Sequence, residues 1–403
     1  MPATDVILAF SGGLDTSFCV PYLKDQGFEV VTVFVDTGGV SDEERDYIEK
    51  RAAEVGAAAH HTLDAGQDLW DEFVVPLVWS GARYQGEYPM LCSDRYVIVR
   101  KCLEICQEHN TRHFAHGCTG MGNDQFRFDQ TVRSLGDFEI HAPIREIQAE
   151  KRSVREYEME ILEQRGISVR AKTSKYSINH NILGATISGS EVDEWKAPGA
   201  ATYQMTTPPD EWPSESIRVR IGFEQGVPVE LEDRELSGPE MLAELNRIFG
   251  AHGVGRHIYT GDTTIGLKGR IVFECPGIDG LLTAHQALQD AVNTKWQNGF
   301  HAAVAQRWAE LVYTGFFYEP HKRDLEAYLK SSQEFVTGVV TLEARGGSLL
   351  PVEVDSKHIL RRKGATYAQS ADWTADEAVG FVKLLGQSST LSARINPTND
   401  LRS

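Results

Sequence analysis

Three features of the chain predict an α/β fold that opens on a parallel-sheet domain and continues into a second, α+β domain. The first 150 residues alternate strand-like and helix-like segments, as parallel strands joined by crossover helices require. A glycine turn, Ser11-Gly12-Gly13, joins the first apolar run to an apolar-periodic stretch, Phe18 to Leu23. Beyond about residue 170 the pattern changes to paired alternating segments around Gly-containing turns, which read as hairpins.

Taken in order, Val6 to Phe10 is the first predicted strand and Glu29 to Val35 the second. The unbroken apolar character of the second suits a strand covered on both faces. A helix starting near Thr16 supplies the crossover between them. Asp42 to Val55 is acidic at its start and reads as a helix capped by Ser41. Tyr96 to His109 is a further helix, followed by the strand Arg112 to Ala115 and the loop His116 to Asp124. Ser153 to Arg165 is helical in pattern. In the second domain, Ile217 to Phe223 and Val227 to Leu231 alternate around Gln225-Gly226. Val336 to Leu342 and Leu349 to Val354 do the same around Gly346-Gly347. Pro239 to Phe249 and Leu281 to Gln297 have helical spacing, as does Ala375 to Leu385. Lys196 to Pro213, rich in Gly and Pro, reads as a loop, and Asn396 to Ser403 as a frayed tail. The expected domains are 1–168, 169–366 and a carboxyl-terminal helix and tail, 367–403.

Composition narrows the function. A chain of 403 residues exceeds one ordinary compact core. Its formal charge of −18 argues against a nucleic-acid surface, which needs clustered Lys and Arg. No apolar run approaches the roughly 20 residues of a membrane span, and the start MPATDVILAF lacks the basic region of a secretory signal. A cytoplasmic protein with no membrane partner is the expectation. The cysteines at 19, 92, 102, 106, 118 and 275 contain no C-x-x-C pair, which fits reduced thiols rather than a disulfide framework.

The glycine turn carries the chemistry. Free backbone N–H groups, hydroxyls and the positive end of a helix dipole make an anion cradle for nucleotide phosphates. It is not the common phosphate loop, because the lysine of G-x-x-x-x-G-K-[ST] is missing. The pattern SGGLDTS instead resembles the pyrophosphate loop of enzymes that cleave ATP between its α and β phosphates. Both this loop and 116–124 follow predicted strands, at the carboxyl ends where ligands of such sheets lie.

With the second loop the resemblance becomes specific. AFSGGLDTS, Tyr84 to Ser93, HGCTGMGNDQFRF at 116 to 128, HGVGR at 252 to 256 and ELVYTGF at 310 to 316 resemble the argininosuccinate synthase family in identity, order and spacing. The resemblance implies an adenine nucleotide α-hydrolase-like first domain, a synthetase and multimerisation domain, and a carboxyl-terminal helix reaching a neighbouring subunit of a homotetramer. It implies condensation of citrulline with aspartate, using ATP and Mg²⁺ and releasing AMP and pyrophosphate. For ATP it points to Ala9, Phe10, Ser11, Gly12, Gly13, Leu14, Asp15, Thr16 and Ser17, with Val35 and Gly117. Thr119, Asn123 and Asp124 would bind aspartate. Tyr88, Ser93, Asn123, Arg127, Ser177 and Thr186 would bind citrulline. Asp15 and Asp124 are the catalytic candidates, and Asp15 fits either a magnesium contact or an amino-terminal cap. The residue types suit the reaction. A ureido carbon is a poor electrophile, so its oxygen must be adenylated, and the enzyme's work is positioning and charge stabilisation.

The sequence also departs from the family pattern. Met121 stands where the second loop usually has lysine. By spacing, Gly261 and Phe273 fall where a glutamate and a tyrosine of the citrulline pocket are expected, with Asp262 as the preferred substitute for the lost carboxylate. An alternative reading is therefore a paralogous adenylating ligase that joins aspartate to a different ureido acceptor. Other classes fit less well. A tRNA-modifying relative would be basic and often carry a cysteine pair, a nucleotide-binding scaffold would not need the Gly-Asn-Asp loop with its arginine, and a glutamine amidotransferase would need cysteine where Pro2 stands.

Overall fold

The pleat of the central strands determines how the first domain is layered. In the computed structural model, which describes residues 4–148, 153–168, 176–362, 369 and 372–396, β1 (Thr4–Ala9) pairs in parallel with β2 (Phe28–Asp36), Val6 opposite Val30. With β3 (Ala59–Asp64), β4 (His113–Ala115) and β5 (Glu139–His141) they form a parallel sheet of order β3-β2-β1-β4-β5. Successive side chains point to opposite faces. Val6, Leu8 and Val30 therefore pack in one core with α1 (Leu14–Asp25), α2 (Asp42–Glu54) and the later helix 154–164, while Ile7, Val31 and Val33 join the core on the other side. That second face is covered by α3 (Asp94–Glu108), through Tyr96, Val99 and Leu103. α4 (Asp124–Leu135), α5 (Pro143–Gln148) and α6 (Val154–Gln164) complete the domain. Ser41 caps α2 as expected, its hydroxyl accepting from the Glu44 N–H at 3.2 Å.

Two antiparallel sheets follow. β6 (Ser177–Asn181) and β7 (Gly184–Ser188) form a hairpin, and β7 pairs with β12 to give the order β11-β12-β7-β6. The second sheet is ordered β10-β9-β8-β13-β14. It contains both expected hairpins, β8 (Ile217–Glu224) with β9 (Val227–Leu231), and β13 (Gly338–Arg345) with β14 (Ser348–Asp355). The short β10 is Arg234–Glu235; β11 is Arg256–Asp262 and β12 Lys268–Glu274. α7 (Gly238–Ala251) carries a capping box between Ser237 and Glu240.

One predicted helix is two. Leu281 to Gln297 spans the end of α8 (Pro276–Val292) and the start of α9 (Lys295–Thr314). Extended backbone at Asn293 ends the first, and a capping box between Thr294 and Gln297 starts the second, a signal that helical periodicity alone overrides. α10 is Pro320–Ser331. The loop 196–213 holds only two single turns of 3-10 helix, Ala200–Thr202 and Pro209–Glu211.

The chain divides into two compact units, Met1–His358 and Ile359–Ser403. The second contains α11 (Ala375–Leu385), as the spacing predicts, and α12 (Gln387–Ile395); no residue of either helix is buried. The expected boundaries at 169 and 367 and the tail beyond Asn396 lie outside the described residues. No helix among the described residues is long and apolar enough to cross a membrane.

Candidate active site

At the carboxyl ends of β1, β2 and β4 a cavity of about 1160 Å³ opens between the two glycine loops and the β11-β12-β7-β6 sheet. The first loop lines it from Ala9 to Thr16, beside Val35. Gly12 has φ +70°, and a Cβ there would sit 3.1 Å from Ile48 Cγ1. Glycine thus supplies both the left-handed turn and the fit of the loop on α2. Gly13 is the N-cap of α1 without a side-chain cap, so the first-turn amides face the cavity unclaimed by a side chain of their own cap. Ser11 and Thr16 hydroxyls lie 3.3 Å apart across the turn. Ser17 does not reach the wall; it is fully buried behind the loop, donating to the Gly12 carbonyl at 3.5 Å and accepting from Arg51 Nε at 3.0 Å.

The second loop docks directly on the first. A Cβ on Gly117 would lie 3.0 Å from Thr16 Cγ2 and 3.4 Å from the Thr16 nitrogen. The loop is fixed from below by a buried network: His116 Nε2 lies 3.0 Å from Asp129 Oδ1, while its Nδ1 accepts from the Cys118 N–H at 3.1 Å. That pattern defines a neutral ring protonated on Nε2, and burial lowers the pKa of His116 accordingly. Arg145 closes the network with two hydrogen bonds to Asp129.

Asn123 and Asp124 sit where α4 begins. Asn123 Oδ1 accepts from the Thr264 N–H at 3.0 Å and its Nδ2 lies 3.4 Å from the Tyr313 hydroxyl, tying the loop to the second half of the chain. Asp124 accepts from Arg95 Nε at 3.1 Å and from Arg127 Nη1 at 2.7 Å. Burial alone would raise its pKa; Arg95 and then Arg127 outweigh that and hold it at about 2. Arg127 is buried, with Nε and Nη2 donating to the Tyr313 carbonyl at 3.1 and 2.9 Å and its guanidinium over the Tyr313 ring. Thr119 lines the cavity, whereas Met121 is 72% exposed and does not.

On the acceptor side Tyr88, Ser177 and Thr186 line the cavity, with 3.4 Å between the Tyr88 and Thr186 hydroxyls. Three expected residues are elsewhere. Ser93 is fully buried and donates to the Met90 carbonyl at 2.8 Å, closing the turn before α3. Phe273 is a core residue, packed against Tyr88 and stacked on His257. Asp262 is bonded by Gln85 and Lys268 at the end of β11, off the cavity wall. A side chain at 261 would displace its neighbours: a Cβ there would lie 2.3 Å from both Gln85 Oε1 and the hydroxyl of the buried Tyr259. The wall at this place is built instead by Tyr259, Thr263 and Arg270.

The cavity is locally cationic. Arg51, Arg95, Arg127, Arg155 and Arg270 line it against Asp15, Glu44 and Asp124 among the described residues, so a net charge of −18 does not prevent anion binding here. Behind the first loop, Glu158 on α6 is buried, and burial followed by the charge of Asp15 pushes its pKa up to about 8. Arg95, Tyr313 and Arg270 are among the wall residues that sequence reasoning missed. Arg95 follows the matched stretch ending at Ser93, and Tyr313 lies inside the matched ELVYTGF.

Comparisons with known proteins agree with this arrangement. The arginosuccinate synthase N-terminal HUP domain matches residues 5–168, and the arginosuccinate synthase C-terminal domain matches residues 176–392. Argininosuccinate synthase of Xanthomonas campestris pv. campestris is 58% identical over 98% of this chain and 100% of its own length. That of Xanthomonas axonopodis pv. citri is 59% identical over 97% of this chain and 95% of its own. The enzyme of the distant Methanocaldococcus jannaschii is still 38% identical, over 94% and 95% of the two chains. Two glycine loops docked on each other over an arginine-lined cavity, with matches running through both halves of the chain, place this protein in the argininosuccinate synthase family.

Proposed function

We propose that this protein performs the reaction for which its family is named: ATP-dependent condensation of citrulline with aspartate to argininosuccinate, with release of AMP and pyrophosphate. The observation that carries the reading is the placement of Asp124, at the end of the second loop, between Arg95 and the buried Arg127 in the same cavity as the uncapped amino terminus of α1. One cavity thus offers an anion cradle for phosphates and, next to it, charged groups of both signs for amino-acid substrates.

In the first step the citrulline ureido oxygen attacks the α-phosphorus, the bond to the β-phosphate oxygen breaks, and pyrophosphate leaves. Amides of residues 12–16 hold the departing anion, Ala9 and Val35 flank the adenine, and Arg127 and Tyr88 orient the acceptor. Mg²⁺ fits the site in one respect: Asp15 places a carboxylate on the wall beside the phosphate cradle, and magnesium is commonly held by one or two carboxylates together with substrate phosphates. When bound it neutralises phosphate charge. In the second step the aspartate amine attacks the adenylated carbon, the carbon–oxygen bond breaks, and AMP departs with the former ureido oxygen, the proton lost by the amine passing to the departing phosphate or to solvent. Asp124, held near pKa 2, is too weak a base to take a proton at neutral pH, so its role is to accept a hydrogen bond from the amine and aim it. Thr119 and Asn123 would hold the aspartate carboxylates, and Ser177 and Thr186 the citrulline backbone groups.

A cytoplasmic homotetramer is part of the same proposal. The unburied apolar face of α11, with Val379, Phe381, Val382, Leu384 and Leu385 exposed, supports a helix that finds its cover on another subunit.

The test is pyrophosphate release from ATP and Mg²⁺ with citrulline plus aspartate, each amino acid omitted in turn, and the product identified by mass. Release that requires both and yields argininosuccinate is the expected result. Silence with citrulline but turnover with another ureido compound would replace it with the paralogue reading.

A further inference from the structure

The geometry points to a second, unrelated site: we propose that His113, Glu139 and His141 bind a divalent first-row transition-metal ion of the zinc class at the β4–β5 edge of the parallel sheet. None of the three lines the catalytic cavity, and the proposed reaction uses none of them.

Backbone register assembles the group. β4 and β5 are parallel with His113 opposite Glu139 and Ala115 opposite His141. Residues in register share a face, and so do residues two apart on a strand; His113, Glu139 and His141 are therefore on one side of the sheet edge. His113 Nδ1 lies 3.0 Å from His141 Nε2 and 3.4 Å from Glu139 Oε2, and all three donor atoms fall within 4.8 Å of one another. A tetrahedral ion bound at zinc–nitrogen and zinc–oxygen lengths holds its ligands about 3.3–3.4 Å apart, so two edges of the tripod are already close to the required span. The third, between Glu139 and His141, is within 4.8 Å, and the Glu139 side chain, 62% exposed, has room to adjust.

The surroundings favour a cation. Phe28 packs against both imidazoles, with centroids 5.1 Å from His113 and 4.9 Å from His141, which restrains the rings. A neutral imidazole is the form that ligates metal. Two imidazoles and one carboxylate suit zinc and its neighbours rather than magnesium or calcium, which take oxygen donors. The other His/Cys/Asp cluster among the described residues, His257, Cys275 and Asp279, is a contrast. Asp279 there already accepts from Arg83 at 2.9 Å and pairs with His257 at 2.5 Å, so its oxygens are claimed by a guanidinium that would repel an incoming ion.

The experiment is calorimetric titration of the chelator-treated full-length protein with Zn²⁺, paralleled by the visible ligand-field spectrum with Co²⁺. The expected result is one equivalent bound, with a tetrahedral Co²⁺ band. H113Q and H141Q should each weaken Zn²⁺ by at least about tenfold and abolish the band. E139Q changes an exposed side chain and should weaken binding while the metal-free protein melts as before; H257Q should leave the isotherm unchanged. No binding by the parent protein, equal isotherms for parent and histidine variants, or an E139Q isotherm identical to the parent would each overturn the site.

Discussion

Replacing Asp124 by asparagine separates the two halves of the proposed reaction. The substitution keeps the size and one acceptor oxygen but removes the charge that Arg95 and Arg127 share. From the displacement of the Asp124 pKa from 3.8 to about 2, each unit being about 1.4 kcal/mol, the ionised form gains on the order of 2 kcal/mol in the folded protein. The side chain is 37% exposed, and solvent screening reduces the expected loss of stability to about 1–2 kcal/mol. The carboxyl is depressed, so its contribution is complete above pH 3.8 and disappears as pH falls through the folded value near 2. The difference in urea midpoint between parent and variant should therefore be constant at neutral pH and shrink only in strong acid. Function should split more sharply. The KM for aspartate should rise at least about tenfold, because an amine aimed by a carboxylate loses a charge-assisted hydrogen bond, while citrulline-dependent exchange of pyrophosphate into ATP should persist. An unchanged aspartate KM would refute the role of Asp124. Equal loss of exchange and condensation would refute the division of labour between the two loops.

Other substitutions probe the loops and the layer beneath them. Gly12→Val should abolish the ATP-dependent rise in melting temperature, since its Cβ meets Ile48 at 3.1 Å on a backbone with φ +70°; a retained rise would locate the phosphates elsewhere. Met121→Lys should change turnover by less than about twofold, because an exposed side chain off the wall adds only a screened charge; a large gain would show that a cation is wanted there. Glu158→Gln addresses a carboxyl raised from 4.5 to about 8. The folded chain keeps a proton that the unfolded chain releases, so stability falls as pH rises between those values, by a total on the order of a few kcal/mol. The variant should flatten that slope in a series of urea melts, and an unaltered slope would remove Glu158 as its source.

How much of this was legible in the sequence depends on whether the determinant is local. The first loop is local: a buried strand, two glycines and a helix start occupy a dozen residues, and the positive φ of Gly12 is a requirement that only that segment has to meet. The supports of the second loop are not. His116, Asp129 and Arg145 meet through two different helices, and nothing in their spacing announces one network. Arg95 reaches Asp124 from 29 positions away, and an arginine just inside a helix reads equally well as a solvated side chain.

The acceptor wall was hardest to read because its function disturbs the signal that reveals strands. β6 is Ser-Ile-Asn-His-Asn and β11 Arg-His-Ile-Tyr-Thr-Gly-Asp; with Ser177, Asn179 and Tyr259 turned to the cavity, neither offers the apolar alternation from which a strand is recognised. Counting along the chain then misassigns partners, since the residues that share a wall are chosen by cross-strand register. Phe273 faces Thr186 across β12 and β7, and Gly261 faces Gly269 across β11 and β12. The Tyr259 hydroxyl, donating toward Gln85 Oε1 or the Asp262 carbonyl, 2.9 Å from each, fills the space that a side chain at 261 would need. The loss of a carboxylate at Gly261 thus goes with a tyrosine hydroxyl in the space that it would take, and a group that holds the citrulline α-amino nitrogen has to come from the side chains that the register brings to the wall.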